Sequence, residues 1–145
     1  MKAKTLALSV LLFAAPGLAL AADKVVHYPF VNGVNAATES GKLDGTVKFY
    51  LAGNQPSGQV TIVNDDIEIT RRTNAFWKAD QKTCDWVLQS VLIALQDEAK
   101  KAGANAVVDI VSDFGNVYSD PQNYECHVGF LMSGVVLKAK LAKVQ

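Results

Sequence analysis

The sequence predicts an α+β domain: one main helix packed on a mostly antiparallel sheet, with one disulfide joining the two layers. Three observations lead there. A single apolar stripe at helical spacing runs from Cys84 to Ala102. Around it lie short alternating or β-branched segments, separated by clusters of Gly, Asn, Asp and Pro. The only two cysteines fall one on each layer, Cys84 on the stripe and Cys126 on the apolar side of a C-terminal strand. Elements with one apolar face each bury those faces by stacking.

Residues 1–21 read as an export signal. Lys2 and Lys4 precede an apolar run from Leu6 to Ala15, then come Pro16-Gly17 and the small-residue site Ala19-Leu20-Ala21. The run stops after about ten residues, whereas a bilayer span needs about 20. No cysteine follows to carry a lipid, so the expected product begins at Ala22, a periplasmic protein that is not membrane-inserted. Residues 22–145 then form a single domain, long enough for a hydrophobic core of its own.

Residues 22–44 are weakly patterned, a lead-in with one short edge strand. Val47, Phe49 and Leu51 alternate with Lys48 and Tyr50 as a strand, and a turn cluster follows from Gly53 to Gly58. Val60 and Ile62 indicate a second strand, Asn64-Asp65-Asp66 a turn, and Ile67-Glu68-Ile69-Thr70 a third. The helix over about Cys84–Ala102 is expected to be capped by Thr83 or Asp80, with Asp85 in its first turn, Lys100 and Lys101 in its last, and Gly103 as its stop. Residues 105–111 are a largely buried strand and 112–123 a polar loop. Tyr124, Cys126, Val128, Phe130 and Met132 mark one face of a further strand, and Ser133-Gly134 a bend before a last strand over 135–141.

Composition narrows the function. The full chain balances 14 basic against 14 acidic residues; without Lys2 and Lys4 the count is 12 against 14, a net charge of −2. That balance argues against nucleic acid as a partner and against a polybasic membrane-surface binder. No G-x-x-x-x-G-K-[ST] loop is present to cradle nucleotide phosphates. No nucleophile elbow accompanies His27 or His127, and Asp65-Asp66 and Asp97-Glu98 read as solvated acids. The expectation is a non-enzyme with no cofactor.

Two groups of residues remain. In an exported chain, Cys84 and Cys126 read as a disulfide. It closes a loop of 43 residues, counted from 84 to 126 inclusive. The alternative is a small metal-binding or thiol-redox protein, with Cys84, Cys126 and His127, and also His27, as soft-metal ligands. Adjacent residues on a strand face opposite ways, which opposes a joint grip by Cys126 and His127. There is no C-x-x-C motif. The second group is Arg71, Arg72, Phe76, Trp77 and Lys78. It is a candidate interaction patch for a protein or envelope component, because Arg and aromatic side chains supply binding hot spots. The competing and preferred reading has Phe76 and Trp77 closing the open end of the core while the basic residues stay in water.

Four segments, R-R-T-N-A-F-W-K (71–78), C-D-W-V-L-Q-S-V-L-I-A-L-Q (84–96), A-G-A-N-A-V-V-D-I (102–110) and Y-E-C-H-V-G-F-L-M-S-G-V-V-L-K (124–138), resemble a family of small exported proteobacterial proteins often labelled "excinuclease ATPase subunit". The likeness spans about residues 67–142 and is most specific at Y-E-C-H with both cysteines. The label names an activity whose phosphate loop this sequence lacks. More distantly, the helix, G-A-N-A-V, strand and final Gly-containing strand are similar to the small heavy-metal-binding-like domains, which the lipoprotein sensor of the Rcs envelope-stress system also resembles. That resemblance implies a disulfide-bonded domain working through protein contacts. The sensor's lipid-attachment cysteine is missing here and only one disulfide is available, so its signalling role is not implied.

Overall fold

The structure, a computed structural model, describes residues 23–145. The export signal expected at 1–21 lies outside the described residues. The elements run β1 (Lys24–Pro29), α1 (Phe30–Glu39), β2 (Lys48–Leu51), β3 (Val60–Asn74), α2 (Asp80–Lys101), β4 (Ala106–Asp113), β5 (Val117–Tyr118), β6 (Asn123–Val128) and β7 (Met132–Val144). This is the expected α+β arrangement, with α2 laid across one face of a seven-stranded sheet. The long β7 organises it. One edge of β7 pairs with β3 from Met132 to Val144; the other meets β6 at Ser133 and Gly134, then β4 from Leu137 to Ala142. Beyond these, β1 pairs with β6, and β4 holds both β5 and β2. Only the β2–β4 pair is parallel among the described strands.

The lead-in is more ordered than its composition indicates. β1 is the expected edge strand, and a ten-residue helix follows it directly. Phe30, Gly33 and Ala37 are buried along one side of α1, at steps of three and four. No side chain caps its start, and Gly33 and two asparagines weaken its propensity, so tertiary packing holds it. Gly33 is where it meets α2: a Cβ there would stand 2.3 Å from Leu88 Cδ2.

The turn expected at Asn64-Asp65-Asp66 is instead a bulge inside one fifteen-residue strand. The register against β7 shifts between Ile62 and Asn64 and again between Asn64 and Ile67, while Asn64 Oδ1 accepts the Asp66 N–H at 3.0 Å. The residues have local turn chemistry, but β7 is long enough to pair on both sides of them. Among the described residues, β3 has no strand on its other edge.

Helix α2 starts earlier than its apolar stripe, at Asp80, and its N-cap is Ala79, with no side-chain cap. The expected cap Thr83 instead lies one turn inside. Its hydroxyl reaches the Asp80 carbonyl at 2.9 Å and the buried Ser133 hydroxyl at 2.7 Å. Asp85 stands beyond the first turn, whose acid is Asp80. The helix stops as expected, at Lys100 and Lys101, followed by Gly103 in the left-handed region (φ 68°). The stripe ends at Ala99, since Ala102 is exposed.

The C-terminal hairpin bends about four residues before the expected place. Gly129 N–H bonds the Met132 carbonyl at 2.8 Å, so the turn is 129–131, and Ser133-Gly134 lies inside β7. Tyr124, Cys126 and Val128 do face the core, but Phe130 and Met132 leave it. The polar loop of 112–123 contains the two-residue strand β5.

The core lies between α2 and the sheet: Cys84, Leu88, Val91, Leu92 and Leu95 pack on Val107, Ile110, Cys126, Val135, Leu137 and Leu141. Sγ of Cys84 and of Cys126 are bonded, tying the start of α2 to β6. The opposite face of the sheet is mixed: Lys138 is bridged to Asp113 at 2.7 Å and Lys140 to Asp109 at 3.0 Å, beside a small apolar cluster of Ala106, Val108 and Ala142.

Candidate binding surface

At one end of the layered core, two loops are tied together. Ala75, just past β3, is buried, and its N–H bonds the Leu131 carbonyl of the β6–β7 turn at 2.8 Å. Asn74 Oδ1 accepts the Phe76 N–H at 2.9 Å, and Lys78 N–H returns to the Ala75 carbonyl at 3.0 Å. Between them Trp77 takes a left-handed backbone (φ 57°), a conformation that bulky side chains seldom adopt. The backbone turns under it, and its side chain stands in solvent, 90% exposed.

The facing turn presents Phe130, 79% exposed, then Leu131 and Met132, also exposed. Gly129 sits close to its surroundings: a Cβ there would stand 3.3 Å from the Met132 carbonyl oxygen and would displace the exposed Asp23 carboxylate. Phe76 links the two tips, its ring 5.3 Å from Trp77 and 5.2 Å from Phe130, both edge-on. The result is one contiguous apolar patch of Phe76, Trp77, Phe130, Leu131 and Met132. A contiguous exposed apolar patch, unlike apolar residues scattered singly, is what marks interaction sites.

The reading in which Phe76 and Trp77 close the core therefore fails; Ala75 takes that place. The five candidate patch residues also divide. Phe76, Trp77 and Lys78 lie at this end, whereas Arg71 and Arg72 belong to β3. Arg72 is on the outer sheet face, its guanidinium 5.9 Å from the Phe114 ring centroid, and Arg71 bonds the Thr70 carbonyl. Phe130, Leu131 and Met132 escape sequence reasoning because they continue an alternating strand. Gly129 is the signal that the strand stops.

The histidines form a separate cluster on the outer face. His27 on β1 is the register partner of Glu125 on β6, and His127 follows two residues later on the same side. One carboxylate serves both rings: Glu125 Oε1 lies 2.7 Å from His127 Nε2, and Oε2 lies 3.3 Å from His27 Nε2. Tyr118 stacks on His27 at 4.2 Å and Phe114 on His127 at 4.0 Å. Gly134 lies under this stack, where a Cβ would stand a tight 3.2 Å from the Phe114 ring. The alternative donor set Cys84, Cys126 and His127 is not assembled. Both sulfurs are committed to a fully buried bridge, and His127 is on the opposite side of β6. Among the described residues, no three His, Cys, Asp or Glu side chains are arranged to hold a metal.

Tyr124 is fully buried, and among the described residues its hydroxyl makes no hydrogen bond of full geometry, with the nearby Asp85 carboxylate as a weak partner. Burial, and then the nearby Asp85 charge, push that hydroxyl well above the usual phenol range; burial also raises the Asp85 carboxyl. Tyr124→Phe is therefore expected to change stability by no more than about 1 kcal/mol, since only a weak contact with Asp85 is lost. Urea unfolding of the two proteins checks this, and a loss of more than about 1 kcal/mol would show the bond to Asp85 to be strong.

A separate apolar cleft of about 470 Å³ runs between α1, β2 and the loop before β6, lined by Phe30, Val34, Phe49, Leu51, Asn54 and Pro121.

No protein-family model matches the chain, and no curated protein matches it. Among solved structures, a protein of unknown function from Pediococcus pentosaceus, described as belonging to the DUF74 family, is similar over 70% of this chain and 99% of that one. Identity is 10% and the TM-score 0.47, a likeness too slight to transfer anything. No helix among the described residues is long and apolar enough to cross a membrane.

Proposed function

We propose that this protein is a non-catalytic binding module of the cell envelope, acting in the periplasm through the aromatic end of its fold. The observation that carries the proposal is the cluster of Trp77 and Phe130 held in solvent on two tied loops. Exposing such side chains opposes folding and solubility, and their place in a single patch is what a binding surface requires. Export is supported by the Lys2–Ala21 pattern, and an oxidising compartment by the disulfide. The small exported family that the sequence resembles fits the same address. Catalysis has no part in this reading.

The experiment is photo-crosslinking in the producing cell from residue 130, with residue 117 as a control, because Val117 is also exposed but lies away from the patch. The expected result is a discrete adduct from position 130, identified by mass spectrometry and lost in a Trp77→Ala background. Equal labelling from 117 and 130, insensitive to Trp77, would remove the patch as a binding surface.

A further inference from the structure

Resting on that binding reading, we infer that the aromatic end docks on an anionic lipid bilayer surface, its tips entering the interfacial layer while the domain stays outside. Shape is the first argument. Trp77 and Phe130 are 90% and 79% exposed, so they project rather than line a groove, and Leu131 and Met132 extend the same convex tip. Projecting aromatic and aliphatic side chains need a partner that yields around them. The boundary between headgroups and acyl chains does so, and Trp is the side chain most at home there.

Charge is the second argument. Residues 71–82 carry four basic side chains, Arg71, Arg72, Lys78 and Lys82, and one acid, Asp80. The rest of the described chain carries eight basic and thirteen acidic residues. The near-neutral total therefore conceals an uneven distribution along the chain, with a basic excess in the segment that carries Phe76 and Trp77. Of the acids near the patch, Asp80 is paired with Lys24, and Asp23 lies against the Gly129 backbone. The tip residues 128–132 carry no charge at all. Lys78 beside the apolar tip, with Arg71, Arg72 and Lys82 set back from it on β3 and α2, complements anionic headgroups above acyl chains, and each contribution is too weak to bind alone. Lys78 is anchored to Asn74, its Nζ 3.2 Å from the carbonyl, which keeps one cation beside the tip.

The test is partitioning of the purified protein onto unilamellar vesicles of phosphatidylethanolamine and phosphatidylglycerol, with pure phosphatidylcholine vesicles as comparison. Binding to the anionic vesicles is expected, weakening as salt rises. Trp77→Ala should lower the partition coefficient about tenfold, and Trp77→Ala with Phe130→Ala about a hundredfold, as the loss of one and two buried aromatic side chains implies. Val117→Ala should change nothing. In a Trp86→Phe background, vesicles should shift the Trp77 emission to shorter wavelength. Failure to bind anionic vesicles, or equal binding by the wild type and the double variant, overturns the bilayer inference. Photo-crosslinking then separates the two readings. A Trp77-dependent protein adduct from position 130 means the patch binds protein and only the lipid assignment falls; no such adduct means the binding reading falls with it.

Discussion

Cys84→Ala and Cys126→Ala are each expected to lower stability by about 2–5 kcal/mol, the usual consequence of losing a native disulfide. The bridge joins residues 42 apart in the chain and ties α2 to β6, so its main effect is to restrict the unfolded chain. Both residues are fully buried, and removing either sulfur also leaves space in the core. The double variant should lose little more than either single one, because both singles break the same bond. Reductant should remove most of the difference between the wild type and the variants while leaving the variants unchanged, the remainder being the space left by the missing sulfur. Denaturant unfolding with and without reductant, combined with a thiol count, decides the matter. Two titratable thiols in oxidised, folded protein would contradict the bridge and return both sulfurs to the candidates for metal or redox chemistry.

Leu88→Ala and Leu95→Ala should each cost about 2–5 kcal/mol, since both leucines are fully buried between helix and sheet. Leu88 carries a further consequence through Gly33. Gly33→Ala forces a methyl against Leu88 Cδ2 and should cost about 1–3 kcal/mol by overpacking, against a smaller gain in helix propensity. In a Leu88→Ala background the same methyl enters vacated space. The two substitutions should therefore not add, and unfolding of the four proteins measures the coupling. Strict additivity would mean that α1 does not lean on Leu88.

These two predictions also show where sequence reasoning succeeds. The stripe of α2 has a period that no strand can imitate, and each of its leucines needs the same face, so its core positions are legible one by one. Cys126 is legible because Tyr124 and Val128 alternate with it. What stays hidden is structure decided by distant partners. Helix α1 has poor propensity and no cap, and it exists because α2 offers it a surface. Asn64-Asp65-Asp66 has turn chemistry, yet β7 holds it in a strand. The aromatic end was half legible: Arg71–Lys78 draws attention by its residue types, but the spacing cannot reveal that Phe130 arrives beside Phe76. A run such as Val128-Gly129-Phe130-Leu131-Met132 reads as strand until a backbone bond closes it.

The bulge in β3 has a consequence for solubility. A fifteen-residue strand with one edge unpaired among the described residues is a template for another chain, and Val60, Ile62 and Val63 add exposed apolar side chains to it. Two register shifts break the regular spacing of its free N–H and C=O groups, and Asp65 and Asp66 set two negative charges at the break. A second copy brought alongside would face misaligned hydrogen bonds and like charge together. The irregularity that disguises β3 as two strands in the sequence thus also opposes the stacking of one copy's edge on another's.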